Sequence, residues 1–432
     1  MIATVVISLV TIITIVVSLF LFPKLKLGKV TLSTYWIIAF VGALILIATS
    51  LVPFKEIYDE LTADSAINPL KILILFFSMT IISILLDEFG LFKYLASVAA
   101  KRAKNQKVLF FSFYFLVSLL TIFTSNDVVI LTFTPFICFF CKRMKINPIP
   151  YLVSEFAAAN TWSLLFIIGN PTNIFLGTSA GINFIDYFKV MALPTLAAGA
   201  IELLTLFLIF RKKLLGNIGE IQENTETIEN IPMLIVGIIH LLVCLVFLII
   251  ANYIHIEMWL ISFITASSLL LITSIIGVVM KSHTEYVTGA LKRLPYPLIP
   301  FFLSMFVIVV ALNHQGISKI IADAFGSEHT VWIYGFTSFV ASNVINNIPM
   351  SIFFTGLCAH LDASIYLKGI YASIIGSNIG AFLTPIGALA GIMFIDLVNK
   401  HDVEFSFSSF VKYGAIIALP TISAALLILY LI

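Results

Sequence analysis

Hydrophobic runs long enough to cross a bilayer recur along the whole chain, at about 2–22, 34–53, 68–86, 148–186, 188–210, 232–251, 257–280, 298–313, 366–398 and 412–431. A spanning helix needs about 20 apolar residues. Two runs, 148–186 and 366–398, are far longer than one crossing requires, and each contains Gly, Pro and Asn. They predict helices broken near their middles. Two further apolar segments, 108–141 and 330–360, carry polar clusters at their centres, Ser125-Asn126-Asp127 and Asn346-Asn347-Ile348-Pro349. The broken runs carry Asn160 with Gly169-Asn170-Pro171-Thr172-Asn173, and Asn378 with Thr384-Pro385-Ile386-Gly387. Their spacing is matched: Asn126 to Asn160 is 34 residues and Asn346 to Asn378 is 32, while Asn160 to Gly169 and Asn378 to Gly387 are both nine. Polar, helix-breaking groups are unfavourable in hydrocarbon by several kcal/mol each unless they line a protein cavity. Simple kinks account for either cluster alone but not for the matched pair. Two such pairs, one per half, predict a secondary transporter with its site near the bilayer midplane.

Charge placement sets the topology. Lys101, Arg102, Lys104 and Lys107 precede the first polar-centred segment, and Lys142, Arg143 and Lys145 follow it. Basic flanks mark the cytoplasmic side, so both ends of that segment are expected inside. A re-entrant hairpin with two arms of about 17 residues and Asn126-Asp127 at its tip satisfies this; a single crossing does not. The resulting plan has ten spans, two re-entrant hairpins and both termini outside. It puts 19 of the 24 Lys and Arg residues inside, with Lys55, Lys71, Lys189, Lys319 and Lys368 outside. Residues 1–211 then form a first repeat, 212–231 a cytoplasmic linker rich in Glu, and 232–432 a second repeat of inverted orientation. Segments 87–107 and 281–297 read as matching interfacial helices.

Composition supports this class and removes others. The 432 residues are 60% hydrophobic and 11% charged, with mean hydropathy +1.11, values of a polytopic all-α membrane protein of the cell membrane rather than a soluble domain. Basic residues come in short clusters between spans, so no nucleic-acid partner is expected. Met1 to Phe22 is too long and too apolar for a signal peptide and reads as the first span. Cys138, Cys141, Cys244 and Cys358 all lie in apolar runs, which predicts buried thiols without disulfide or metal roles.

The chemistry is expected at the interruptions. Half-helix ends leave unpaired N–H and C=O groups that hold anions and cations. Gly169, Pro171, Pro385 and Gly387 are the structural breaks. Ser125, Asn126, Asp127, Asn160, Asn170, Thr172, Asn173, Asn346, Asn347, Asn378 and Thr384 are the candidate substrate ligands. Asp127 is an acid at a hairpin tip, expected to face Asn346-Asn347. It reads either as a helix cap or as a group that exchanges a proton between states. Glu155, on the same run as Asn160, is a second proton-coupling candidate. Asp87-Glu88 reads as a solvated helix end, and Glu202 as a mid-span acid without an evident partner. His240, His255, His314, His329 and His360 fall at predicted span ends or loops without metal-ligand spacing. Trp162 walls the site or simply packs.

Asp87-Glu88, Ser125-Asn126-Asp127 with Thr134-Pro135, Asn346-Asn347-Ile348-Pro349, and Tyr371 to Asn378 running into Thr384-Pro385-Ile386-Gly387 resemble the ArsB-type arsenite and antimonite efflux permeases. Those belong to a superfamily with NhaD-type sodium–proton antiporters and with citrate and dicarboxylate carriers. The resemblance implies efflux of arsenite or antimonite by alternating access, with no cofactor and with a proton or sodium as coupling ion. It is compatible with a homodimer and with the soluble ATPase partner some arsenite permeases use, though no nucleotide motif is present. This chain has Asn160 and Asn378 where typical arsenite permeases have Asp. Two fewer negative charges suit a neutral or anionic substrate better than a cation. A sodium–proton antiporter would want acids at the breaks. A citrate or dicarboxylate carrier would want cations or paired helix N-termini there, and no Lys or Arg lies near any cluster. A membrane enzyme would need a catalytic pair that the sequence does not display.

Overall fold

A computed structural model of the chain describes residues 1–22, 24–27, 30–64, 68–218, 228, 230–279 and 285–432. Lys29, Lys281 and the Glu-rich part of the linker, with Glu220, Glu223, Glu226 and Glu229, lie outside the described residues.

The described chain is helical apart from one antiparallel ribbon, Lys24–Leu27 with Val30–Ser33. The first half runs Ile2–Leu21, Thr34–Ala48, Phe54–Thr62, Pro69–Glu88 and Leu91–Arg102, then a hairpin of Gln106–Phe123 and Asn126–Met144. A broken helix follows, Ile149–Trp162 and Pro171–Ser179, and then Phe184–Phe210. The second half repeats this order: Ile231–Ile250, Met258–Val279, Glu285–Arg293, Leu298–His314 and Ile317–Phe325, the hairpin Thr330–Ile345 and Asn347–Cys358, the broken helix Ala363–Gly380 and Leu389–Lys400, and Phe407–Leu431. Helices occupy all ten expected apolar runs, and both hairpins are found; among the described residues, seven helical stretches are by themselves long and apolar enough to cross a membrane. One pairing is corrected. By position in the repeat, Leu91–Arg102 matches Ile317–Phe325, and Glu285–Arg293 matches Phe54–Thr62. Basic composition alone had aligned 87–107 with 281–297, because positive charge tracks the cytoplasmic side and not the place in the repeat.

Two long helices show that the hairpins enter from opposite faces. Phe184–Phe210 has 27 residues, about 40 Å at 1.5 Å per residue. Near its start the Asp186 carbonyl accepts from the Tyr371 hydroxyl at 3.4 Å, on the side where the second hairpin has its base. Just beyond its end, the Gly216 carbonyl accepts from the Gln106 N–H at 3.2 Å, where the first hairpin begins. Phe407–Leu431 gives the same result: Tyr413 meets Lys213 at 3.2 Å near one end, and the Tyr430 ring lies tilted beside Trp332, centroids 6.3 Å apart, near the other. Ion pairs keep to these faces. Lys24–Asp396 and Lys142–Asp402 lie on the basic side, while Lys71–Glu257 lies on the other, as does the 2.7 Å contact of His314 Nδ1 with Glu56.

The first hairpin's arms are 18 and 19 residues long, or about 27–29 Å, slightly longer than expected. The tip nonetheless sits at mid-depth, because Asn126 meets Asn160, 11 residues into the helix that starts at Ile149, about 16 Å along its axis. Each half supports the other: Asn126–Met144 lies against Leu389–Lys400, and Asn347–Cys358 lies against Pro171–Ser179. Small residues allow the closest approach, between Thr330–Ile345 and Ala363–Gly380. A Cβ on Gly376 would fall 2.0 Å from Ser338 Oγ and 2.2 Å from the Gly335 carbonyl. Gly376 and Gly380 form the small-xxx-small spacing used where helices touch inside membranes. The outer surface is apolar, as lipid requires, with Ile235, Ile239, Leu242 and Val246 exposed along one helix.

Candidate functional site

Both breaks are built by residues that cannot continue a helix. In the first, Asn170 is extended and its Oδ1 accepts from the Thr172 N–H and Oγ1, both at 3.1 Å, while Pro171 opens the next helix. Gly169 passes so near Ser163 that a Cβ would lie 2.4 Å from the Ser163 carbonyl. Asn173 closes the loop from the other side, donating to the Ser163 carbonyl at 2.7 Å and the Phe166 carbonyl at 3.3 Å. In the second break, Thr384 donates its N–H and Oγ1 to Asn343 Oδ1 at 3.0 and 2.8 Å. Asn343 Nδ2 in turn donates to the Phe339 and Gly380 carbonyls at 2.8 and 2.9 Å. Pro385 and Gly387 lie in that loop, the Pro385 carbonyl set against Gly391 and Gly387 set between Asn343 and the Gly380 carbonyl.

The hairpin tips meet these loops differently. Asn346 donates to the Ile386 carbonyl at 2.9 Å and Asn347 donates its N–H to the Gly387 carbonyl at 3.0 Å. Asn346 holds φ 70° and ψ 153°, a region that non-glycine residues adopt only where surrounding structure enforces it. The first tip makes one side-chain bond, Asn126 Nδ2 to Asn160 Oδ1 at 3.2 Å. A single chain of amides then joins the halves. The single proton of the Ser163 hydroxyl is shared between the Asn160 carbonyl at 2.7 Å and Asn378 Oδ1 at 2.9 Å. Asn378 Nδ2 donates to Asn173 Oδ1 at 2.6 Å and to the Ile374 carbonyl at 2.9 Å.

Four helices, starting at Asn126, Pro171, Asn347 and Leu389, begin at this level and end at a membrane face. Their N-termini bring unpaired N–H groups and the positive ends of four helix dipoles to the centre. Ser125 Oγ, Asn126 Oδ1, Asn170 Nδ2 and Ser377 Oγ are buried there with no partner among the described residues, so hydrogen-bonding capacity remains open. No Lys, Arg or His takes part in any of these bonds.

Asp127 lies half-buried in the first turn of Asn126–Met144, where a carboxylate suits the dipole. No hydrogen bond or ion pair to its carboxylate is found among the described residues, and none links it to Asn346 or Asn347. That expected facing is corrected: because the hairpins enter from opposite sides, the first tip lies against the second broken helix, and Asn346-Asn347 bond within their own half. Glu155 is buried and accepts the Thr134 hydroxyl at 3.0 and 3.1 Å, tying the hairpin to the broken helix away from the amide chain.

Several residues take roles the sequence did not assign. Ser163 and Asn343 are central; each lies one helical turn from an Asn already singled out, the only signal available. Glu202 has a partner after all, the hydroxyl of Thr161, and Trp162 donates its indole N–H to the Tyr114 hydroxyl at 3.0 Å. Asp87-Glu88 is not a solvated end. Arg293 donates to Asp87 Oδ2 and Glu88 Oε1, both at 2.6 Å, and Asp87 is buried. His240 sits inside Ile231–Ile250 beside Ser268, and not at a span end. The four cysteines are buried and unpaired.

Comparison with known proteins agrees with this architecture. A model of the CitMHS citrate transporter family matches residues 19–370. An uncharacterized transporter of Synechocystis sp. is 26% identical over 426 residues, covering 91% of this chain and 92% of its own length. The arsenical pump membrane protein of Escherichia coli is 25% identical over 365 residues, covering 81% and 84%. Among solved structures, the YdaH transporter of Alcanivorax borkumensis aligns at TM-score 0.59 and 12% identity, over 100% of this chain and 97% of its own. Neisseria gonorrhoeae MtrF, one of a class of antimetabolite efflux pumps, aligns at TM-score 0.52 and 13% identity, over 98% and 94%. At these identities the two structures speak to the fold alone.

Proposed function

The chain belongs to the CitMHS citrate transporter family, a multi-pass membrane transporter family, and within it we propose a carrier of a small oxyanion or neutral oxyacid, with arsenite or antimonite efflux as the first substrate class. The observation that carries this reading is the centre itself, rich in amide and hydroxyl groups, with no Lys, Arg or His in its bonds, with Asp127 as its one acid, and with four helices starting at its level. Such a centre can both donate to and accept from a hydroxylated solute, and it favours partial negative charge without a Lys or Arg. Weak neutral hydrogen bonds, each worth about 1 kcal/mol net, allow release as well as capture. Relatives named as arsenical pump membrane proteins share about a quarter of their residues with the chain.

The family's name supports a second reading, a citrate or dicarboxylate carrier, in which paired N-termini would receive the carboxylates. A sodium–proton antiporter draws less support, since Asp127 is the one acid at the breaks. We take the activity to be transport without catalysis, the two halves 1–211 and 232–432 rocking about the centre, and the basic face to be cytoplasmic. The test is uptake into everted vesicles carrying the protein, with arsenite, citrate and sodium compared under an imposed proton gradient. Gradient-dependent arsenite uptake above empty vesicles is the expected result. Citrate uptake in its place would move the chain to the second reading, and uptake of neither would sink both.

A further inference from the structure

Glu202 stands inside Phe184–Phe210, eight residues before its end, and is fully buried. One carboxyl oxygen accepts the Thr161 hydroxyl, and the other, Oε1, has no partner among the described residues. The groups facing it are few. Ile149–Trp162 contributes Thr161 and the Trp162 indole. Gln106–Phe123 contributes Tyr114, whose hydroxyl donates to the Gly199 carbonyl at 2.9 Å and accepts from Trp162. Phe407–Leu431 has its titratable side chains, Lys412, Tyr413 and Tyr430, toward its two ends, with Tyr413 bound to Lys213. Ile231–Ile250 carries His240, which is turned to the Val236 carbonyl and Ser268. No cation pairs with Glu202 in any ion pair among the described residues. A buried carboxylate without a counter-ion is unfavourable by several kcal/mol, and a proton on the free oxygen removes that penalty.

We propose that Glu202 is a proton-binding site, filled in this conformation, whose release is tied to movement of the first break. The tie is geometric. Residues 160–163 form one turn with three outward bonds: Asn160 to the hairpin tip, Thr161 to Glu202, and Ser163 to Asn378 of the other half. Alternating access that displaces this turn pulls the Thr161 hydroxyl from Glu202 and opens a path for water to its carboxyl. The proton then leaves to the aqueous side reached, and the carboxylate stays solvated until it is refilled. The coupling half of this inference rests on the carrier reading above; the proton site does not.

The test has two arms, so their failures are separable. Infrared spectra of the purified protein in lipid at neutral pH report protonated carboxyls through their carbonyl stretch. Wild type is expected to show a band that Glu202→Gln removes in part and Glu155→Gln does not alter identically. Glutamine keeps the acceptor for Thr161, so the variant is expected to fold, checked by monodisperse elution. Thr161→Val, which removes only the donor, is expected to shift the frequency of the same band. Identical spectra for wild type and Glu202→Gln would overturn the proton site. In proteoliposomes loaded with the substrate found above, Glu202→Gln is expected to lose proton-driven uptake while keeping substrate exchange at equal pH. Undiminished proton-driven uptake would overturn the coupling, and absence of any substrate in wild type would overturn the carrier reading while the spectra still decide the proton site.

Discussion

Replacing Asn378 by Ala removes the side chain through which the second broken helix bonds the first break. Asn378 is fully buried, and its amide orientation is fixed by its own bond to the Ile374 carbonyl at 2.9 Å. Asn173 is likewise fixed by the Ser163 and Phe166 carbonyls, so its Oδ1 must receive a donor, and Asn378 Nδ2 at 2.6 Å is the one present. In the variant Ser163 retains the Asn160 carbonyl, and the Ile374 carbonyl retains its place in the helix ladder. Asn173 Oδ1 is left buried and orphaned, a penalty of about 1–3 kcal/mol. Adding the Ser163 contact at about 1 kcal/mol gives a loss of about 2–4 kcal/mol. Denaturant unfolding in micelles, followed by circular dichroism, measures it. Removing Asn173 as well eliminates the orphan, so the double variant is expected to lose less than the sum, with a coupling of about 1–2 kcal/mol. A loss below about 0.5 kcal/mol for Asn378→Ala, or strict additivity, would refute the reasoning that this amide chain joins the halves.

Other outcomes follow from the same geometry. Arg293→Met strands buried Asp87, with an expected loss toward the lower end of about 3–5 kcal/mol because Arg293 is 32% exposed; adding Asp87→Asn should recover part of it in the same unfolding assay. Asn343→Ala frees Thr384, so amide hydrogen exchange is expected to rise across 381–388 and not across 163–170. Equal protection in both loops would exclude that clamp. Gly376→Ala forces a Cβ to 2.0 Å from Ser338 Oγ and is expected to destabilise by about 1–3 kcal/mol; normal yield and melting would show the two helices can part freely. Cysteines placed at Lys142 and at Asp186 are expected to react with an impermeant thiol reagent from opposite sides of the membrane. Labelling from one side would contradict the opposed hairpins.

Much of the fold was legible because its signals are local. A run of apolar residues, a Gly-Asn-Pro or Asn-Asn interruption, and basic flanks each act through hydration of a short segment. They gave the ten apolar helical runs, both hairpins and both breaks. The candidate ligands were legible for the same reason: Asn126, Asn160, Asn173 and Asn378 are polar where hydrocarbon should be.

The failures concern partners. Glu202 and Thr161 are 41 residues apart, Asn343 and Thr384 are 41, and Asp87 and Arg293 are 206. A spanning helix is apolar around most of its circumference, so its sequence does not say which face meets which neighbour. The facing expected of Asp127 fails for that reason, and Ser163, which the sequence marks only as a neighbour of Trp162, proves to be the link to Asn378. The sequence by itself determined where this chain forms its apolar helices and where they must break. Only the tertiary structure decided which polar groups meet at the breaks, because a buried donor in hydrocarbon must find its acceptor through helix rotation and close packing, quantities no single segment encodes.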